Sequence, residues 1–129
     1  MAVLPTPESI EAFLAEDDGG PVVMLNLLRF AGGDRTHYDE YSRRVLPFLA
    51  KTGAEVVYAG DLASTVIAPE LHGEWDMVLL VRYPSRKAFI EMVTDPQYLE
   101  IADLRSRGLE DSLLQASREV FAAELSAEE

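Results

Sequence analysis

The sequence predicts an α+β domain: a ferredoxin-like β-α-β-β-α-β core behind an extra N-terminal helix. Two observations carry that reading. Met77–Val81 has no polar position, so a strand there must be covered on both faces. The segments around it alternate between apolar runs and helical spacing, with Gly, Pro and Asp at the junctions. At 129 residues the chain suits one domain and can bury a core without staples. Residues 1–20 read as the helical extension, 21–120 as the core and 121–129 as a tail that frays.

The elements follow in order. Thr6-Pro7-Glu8 opens a short helix with a cap, a first-turn proline and an acid that complements the dipole. Ile10, Phe13 and Leu14 form its apolar stripe, and Asp17-Asp18-Gly19-Gly20-Pro21 ends it. Val22–Phe30 is the first strand. After a Gly32-Gly33-Asp34 turn, Thr36 is the expected N-cap of a helix from about His37 to Thr52. Tyr38, Tyr41, Val45, Phe48 and Thr52 recur at 3-4-3-4 spacing and should line one face. Pro47 inside this pattern should kink the helix, and Gly53 suits its C-terminal cap. Ala54–Gly60 is the second strand. Ser64–Ala68 should continue it or pair beside it, with a bulge or tight turn at Gly60-Asp61. Met77–Tyr83 is the third strand. Ser85 caps a helix over Arg86–Thr94, Asp95-Pro96 starts another over Gln97–Gly108, and Ser112–Ser117 is the candidate closing strand, with a helix over Leu109–Leu125 as the alternative.

Right-handed crossovers put both connecting helices on one side of the sheet. The other side should then be polar, but it is not. Val23, Leu25 and Leu27 point one way from the first strand, and Met24, Leu28 and Phe30 the other. The N-terminal helix is too small to cover the second face. A second copy of the chain, sheet against sheet, is the expected cover.

Composition narrows the function classes. The formal charge is −12, from 23 acidic against 11 basic residues, a surface that repels phosphate backbones and anionic lipid. No nucleic-acid or membrane partner is expected. Cysteine is absent, which removes disulfides, thiolate nucleophiles and Cys metal sites. The two histidines, His37 and His72, have no metal-ligand spacing, and no cofactor is expected. No apolar run approaches a membrane span, no signal-peptide pattern opens the chain, and a cytoplasmic location is the simplest expectation. The nucleophile elbow, phosphate loop and dinucleotide fingerprint are all missing.

A few residues remain as candidates for chemistry. Asn26 interrupts an apolar strand, and its amide must bond either to backbone or to a ligand carbonyl. Arg105 shares a helical face with Tyr98, Ile101 and Ala102; it either snorkels or points into a pocket. Tyr41 and Tyr38 lie on an apolar stripe, as core or as rim hydroxyls. Tyr83 ends its strand and suits core or pocket equally. His72 precedes the third strand and is a solvated loop residue or a general base. Trp75, beside it, is an anchor or a stacking platform. The catalytic candidates are His72 and Tyr41, and the ligand-binding candidates are Asn26, Tyr83, Tyr98 and Arg105.

Several segments together resemble one family. Val22-Val23-Met24-Leu25-Asn26-Leu27-Leu28-Arg29-Phe30, Trp75-Asp76, Val81-Arg82-Tyr83-Pro84-Ser85-Arg86, Met92-Val93-Thr94-Asp95-Pro96-Gln97-Tyr98 and Leu109-Glu110-Asp111-Ser112 look like the DUF1330 family of the dimeric α+β barrel superfamily. The resemblance spans about Pro21 to Ser117. It implies a ferredoxin-like subunit and a homodimer with facing sheets. It implies no activity, because the family is largely uncharacterised; related superfamily members include cofactor-free monooxygenases, muconolactone isomerase, haem-handling enzymes and stress-induced small proteins, so the fold does not fix function. The sequence-based expectation is a cofactor-independent enzyme doing acid/base or oxygenase-type chemistry on a small carbonyl or phenolic compound. The alternative is a non-catalytic small-ligand-binding or stress-response dimer.

Overall fold

Alternating burial along the first strand, β1 (Val22–Phe30), organises the molecule, whose computed structural model describes residues 4–71 and 75–120. Val22, Met24, Asn26, Leu28 and Phe30 are buried; Leu25, Leu27 and Arg29, between them, are half-buried. With a period of two, the even set points to one face and the odd set to the other.

β1 pairs antiparallel with β3 (Met77–Tyr83) and with β4 (Leu109–Ser117). β2 (Glu55–Asp61) pairs with the far side of β3, so the sheet order is β2-β3-β1-β4. The intervening helices are α2 (Thr36–Thr52), α3 (Arg86–Val93) and α4 (Pro96–Gly108), and α1 (Pro7–Ala15) precedes β1. This is the ferredoxin-like arrangement with an N-terminal helix. Each helix start has a local cause. Thr6 and Ser9 exchange backbone and side-chain bonds in a capping box at α1. Ser85 caps α3 and Asp95 caps α4, with Pro96 in the first turn. Gly53, with φ at 83°, closes α2 in the left-handed conformation.

The core lies between the helices and the even face of β1. Val22, Met24, Leu28 and Phe30 join Tyr38, Tyr41, Val45 and Leu49 of α2, Phe89 and Met92 of α3, and Tyr98 and Ile101 of α4 in one cluster. Leu25, Leu27, Val78, Leu80 and Leu113 lie outside it, on the opposite face. That face is only half-buried in the single chain.

Three local expectations are corrected. Residues 64–68 add no strand: Val66 and Ile67 stand out in solvent, 89% and 84% exposed, and β2 remains the edge of the sheet. The β2 irregularity falls between Val56 and Tyr58, not at Gly60-Asp61. Thr36 is the first residue of α2 rather than its cap; Asp34 ahead of it accepts from both its backbone N–H and its hydroxyl. On α2, Leu49 joins the buried stripe, and Phe48 is half-buried against the core, edge-on to Tyr98 at 5.9 Å. α2 runs unbroken through Pro47.

Candidate functional site

Two polar groups meet at the centre of the helix-facing side. Asn26 sits mid-strand and is 7% exposed. Its Nδ2 donates to the Met24 carbonyl at 3.3 Å and the Leu79 carbonyl at 3.4 Å. Its Oδ1 accepts from Arg105 Nη2 at 3.4 Å. These contacts are long for hydrogen bonds, so the amide is held loosely rather than locked. Arg105 comes from the last turn of α4, where a cation also suits the helix dipole.

The tyrosines form a second group. The hydroxyls of Tyr41 and Tyr98 lie 2.8 Å apart, buried between α2 and α4. Tyr38 stacks tilted against Tyr41 at 5.5 Å, and Tyr83 packs edge-on to Phe89 at 5.0 Å. Burial pushes the Tyr41 phenol well above its ordinary value of 10.0, with the neighbouring Tyr98 adding to the shift. Tyr83 and Tyr38 are raised by the same desolvation, and the positive charge of Arg105 opposes the shift in all three. A phenol held this way is a hydrogen-bond or proton donor at neutral pH, not a base.

A cleft of about 610 Å³ opens beside these groups, between α1 and β4. Its walls include Ile10 and Phe13 of α1, Leu114 and Ala116 of β4, Met24 of β1 and Phe89 of α3. Arg105 lines it, and Trp75 stands at its edge with the Arg29 guanidinium 5.8 Å from its ring. That volume is within the range of small-molecule sites. Asn26 reaches the cleft only through Arg105. A second hollow of about 410 Å³, beside Phe48, Lys51 and Met92, contains none of the sequence-predicted residues.

The sequence-predicted residues thus separate. Asn26 and Arg105 are brought together. Tyr41 and Tyr98 are brought together, without lining the cleft, and Tyr83 belongs to the aromatic core around Phe89. His72 lies outside the described residues. The α1 side of the cleft escaped sequence reasoning; the signal was a short apolar stripe, Ile10 and Phe13, on a helix with no strand of its own to cover. Among the described residues no group of three or more His, Cys, Asp or Glu could hold a metal ion, and no helix is long and apolar enough to cross a membrane.

The fold defines a class: ferredoxin-like α+β proteins with an N-terminal helix. Within it, the chain belongs to the family described as "Domain of unknown function (DUF1330)", which it matches over residues 27–116. It is similar to RPA0582, a protein of unknown function from Rhodopseudomonas palustris, at 33% identity and a TM-score of 0.83, covering 93% of this chain and 98% of that one. Its fold is also that of SnoaB, a cofactor-independent oxygenase from Streptomyces nogalater (17% identity, TM-score 0.53, 78% of this chain and 96% of that one). A dimeric ferredoxin-like protein of unknown function from Thermobifida fusca shares it at 13% identity and a TM-score of 0.52, over 78% and 92% of the two chains. The comparison with curated proteins gave no match.

Proposed function

We propose that this protein is a homodimer that takes up a small, largely apolar carbonyl or phenolic compound and acts on it by acid/base chemistry without a cofactor. The observation that carries this is the double engagement of Arg105, which bonds Asn26 and also lines the cleft. The bond to Asn26 orients the guanidinium at the cleft wall. A ligand oxygen accepting from Arg105 would have its developing enolate or phenolate charge stabilised. His72 and Tyr41 are the catalytic candidates on sequence grounds alone.

The dimer reading rests on the half-buried apolar face of Leu25, Leu27, Val78, Leu80 and Leu113. Packing two such faces together would bury them as a sandwich core does. The solved structure of the Thermobifida fusca protein, described as dimeric, agrees with this reading in fold.

A second reading is favoured by the raised tyrosine pKa values: a ligand-binding protein that catalyses nothing, its phenols serving only as packed donors. Native mass spectrometry of the purified protein, followed by assay of whatever compound co-elutes, tests both readings. Turnover with a bell-shaped pH profile, lost in Arg105→Met, supports the enzyme. Stoichiometric binding without turnover supports the binder. An empty protein that binds none of a panel of small carbonyl and phenolic compounds refutes both.

A further inference from the structure

The role of α1 follows from how it is attached. It contributes no fully buried residue, although Ile10 and Phe13 are half-buried. Those two residues line the cleft, opposite Leu114 and Ala116 of β4; Phe13 also packs against the core at Phe89. The helix is internally complete: its capping box satisfies its own first turn, so it can move as a unit.

Its anchorage is concentrated at one end. Arg86, at the start of α3, donates from Nη1 to the Phe13 carbonyl at 2.8 Å. The same guanidinium lies 4.8 Å from the centre of the Phe13 ring and 3.6 Å from the Glu16 carboxylate. Phe13 also meets Phe89 edge-on at 5.5 Å. Towards the other end, among the described residues, Leu4 is 72% exposed. Beyond the fastened end, Asp17-Asp18-Gly19-Gly20 forms a turn in which Gly19 takes φ at 82°. A rigid rod pinned at one end beside a glycine turn is a hinge geometry, and elements with few buried contacts open first.

We propose that α1 is the hinged outer wall of the binding cleft, swinging about the Arg86–Phe13 clasp, with Ile10 setting the size of the apolar body that the cleft accepts. The inference rests on the reading of the cleft as a ligand site. The ligand class it implies is a compact, flat apolar body with one oxygen-bearing end. The body packs between Ile10, Phe13 and Leu114, and the oxygen reaches inward to Arg105. The family match begins at residue 27, so this wall lies outside the matched region.

Anilinonaphthalene sulfonate, an aromatic with one oxygen-bearing end, is the probe, used on the full chain. Amide shift mapping first locates it. Shifts at Leu114 and Ala116 are expected; shifts confined to Leu25, Leu27 and Leu80 would instead sink the ligand-site reading itself. Arg86→Met then removes every clasp contact made by that side chain. Hydrogen exchange should rise in the amides of α1, and the probe's association rate should increase about tenfold, as expected when a cover opens more often. Unchanged exchange, or raised exchange with unchanged association, overturns the hinge while leaving the cleft intact. Ile10→Trp, on the cleft-facing side of α1, should weaken probe binding about tenfold with the melting temperature nearly unchanged. Equal affinity in that variant overturns the role of Ile10.

Discussion

The hydroxyls of Tyr41 and Tyr98 stand 2.8 Å apart and join α2 to α4 across 57 residues of sequence. Each is the other's buried partner, so removing one leaves the other short of a bond. Tyr41→Phe and Tyr98→Phe should each destabilise by about 1–2 kcal/mol. The double variant should cost clearly less than the sum, since no orphaned hydroxyl remains. Urea denaturation of all four proteins measures the coupling; strict additivity would show that the pair contributes no shared energy.

The buried phenols also give the protein an alkaline limit. Tyr41, Tyr83 and Tyr38 all have pKa values raised above 10.0 by burial. Each is neutral when protonated, and its folded pKa exceeds its unfolded one. Below about pH 10 both states keep the proton and this stability is fully present. Above it the unfolded chain releases protons that the folded chain retains, so stability falls as pH rises. The denaturation midpoint should decline steadily above pH 10, and the phenolate absorbance of these three residues should appear only with unfolding.

Gly108 ends α4 where it meets the start of α2. A Cβ there would lie 2.9 Å from the Tyr38 backbone nitrogen and 3.2 Å from His37 Cβ. Neither can yield without moving α2. Gly108→Ala should therefore destabilise by about 1–3 kcal/mol. Gly60→Ala is the contrast. Its Cβ would meet the ring of Tyr58, which is 56% exposed and can swing aside, so a change within about 1 kcal/mol is expected. Thermal melts of the two variants should differ accordingly.

Leu27 and Leu80 lie on the apolar sheet face outside the core cluster. Leu27→Asp should leave the subunit folded and shift its mass to that of a monomer by light scattering at micromolar concentration. A wild-type protein that is already monomeric would remove the reason for that face.

Much of the fold was legible because strand and helix periods are strong signals in this chain. Val22–Phe30 and Met77–Tyr83 stand in the structure with the bounds read from sequence. The choice between Phe48 and Leu49 was not legible. Both fit helical spacing after Val45, and only the position of α4, which receives Phe48 against Tyr98, separates them. Residues 64–68 read as strand, yet Val66 and Ile67 stand in solvent and β2 stays the edge of the sheet; nothing local in the sequence marks that outcome. The proximity of Asn26 and Arg105 could be anticipated, because two polar groups in one small core have few partners but each other. The cleft could not, because its outer wall depends on where a single arginine fastens α1.

The capping box of α1 has a consequence for how this protein can change. A helix that completes its own first turn and lends the core only the half-buried Phe13 can accept substitutions along the rest of its inner side without disturbing the packed strands. If α1 is the outer wall of the cleft, selectivity and stability are carried by different parts of the chain. Lineages can retune what fits beneath α1 while the tyrosine-rich interior stays as it is.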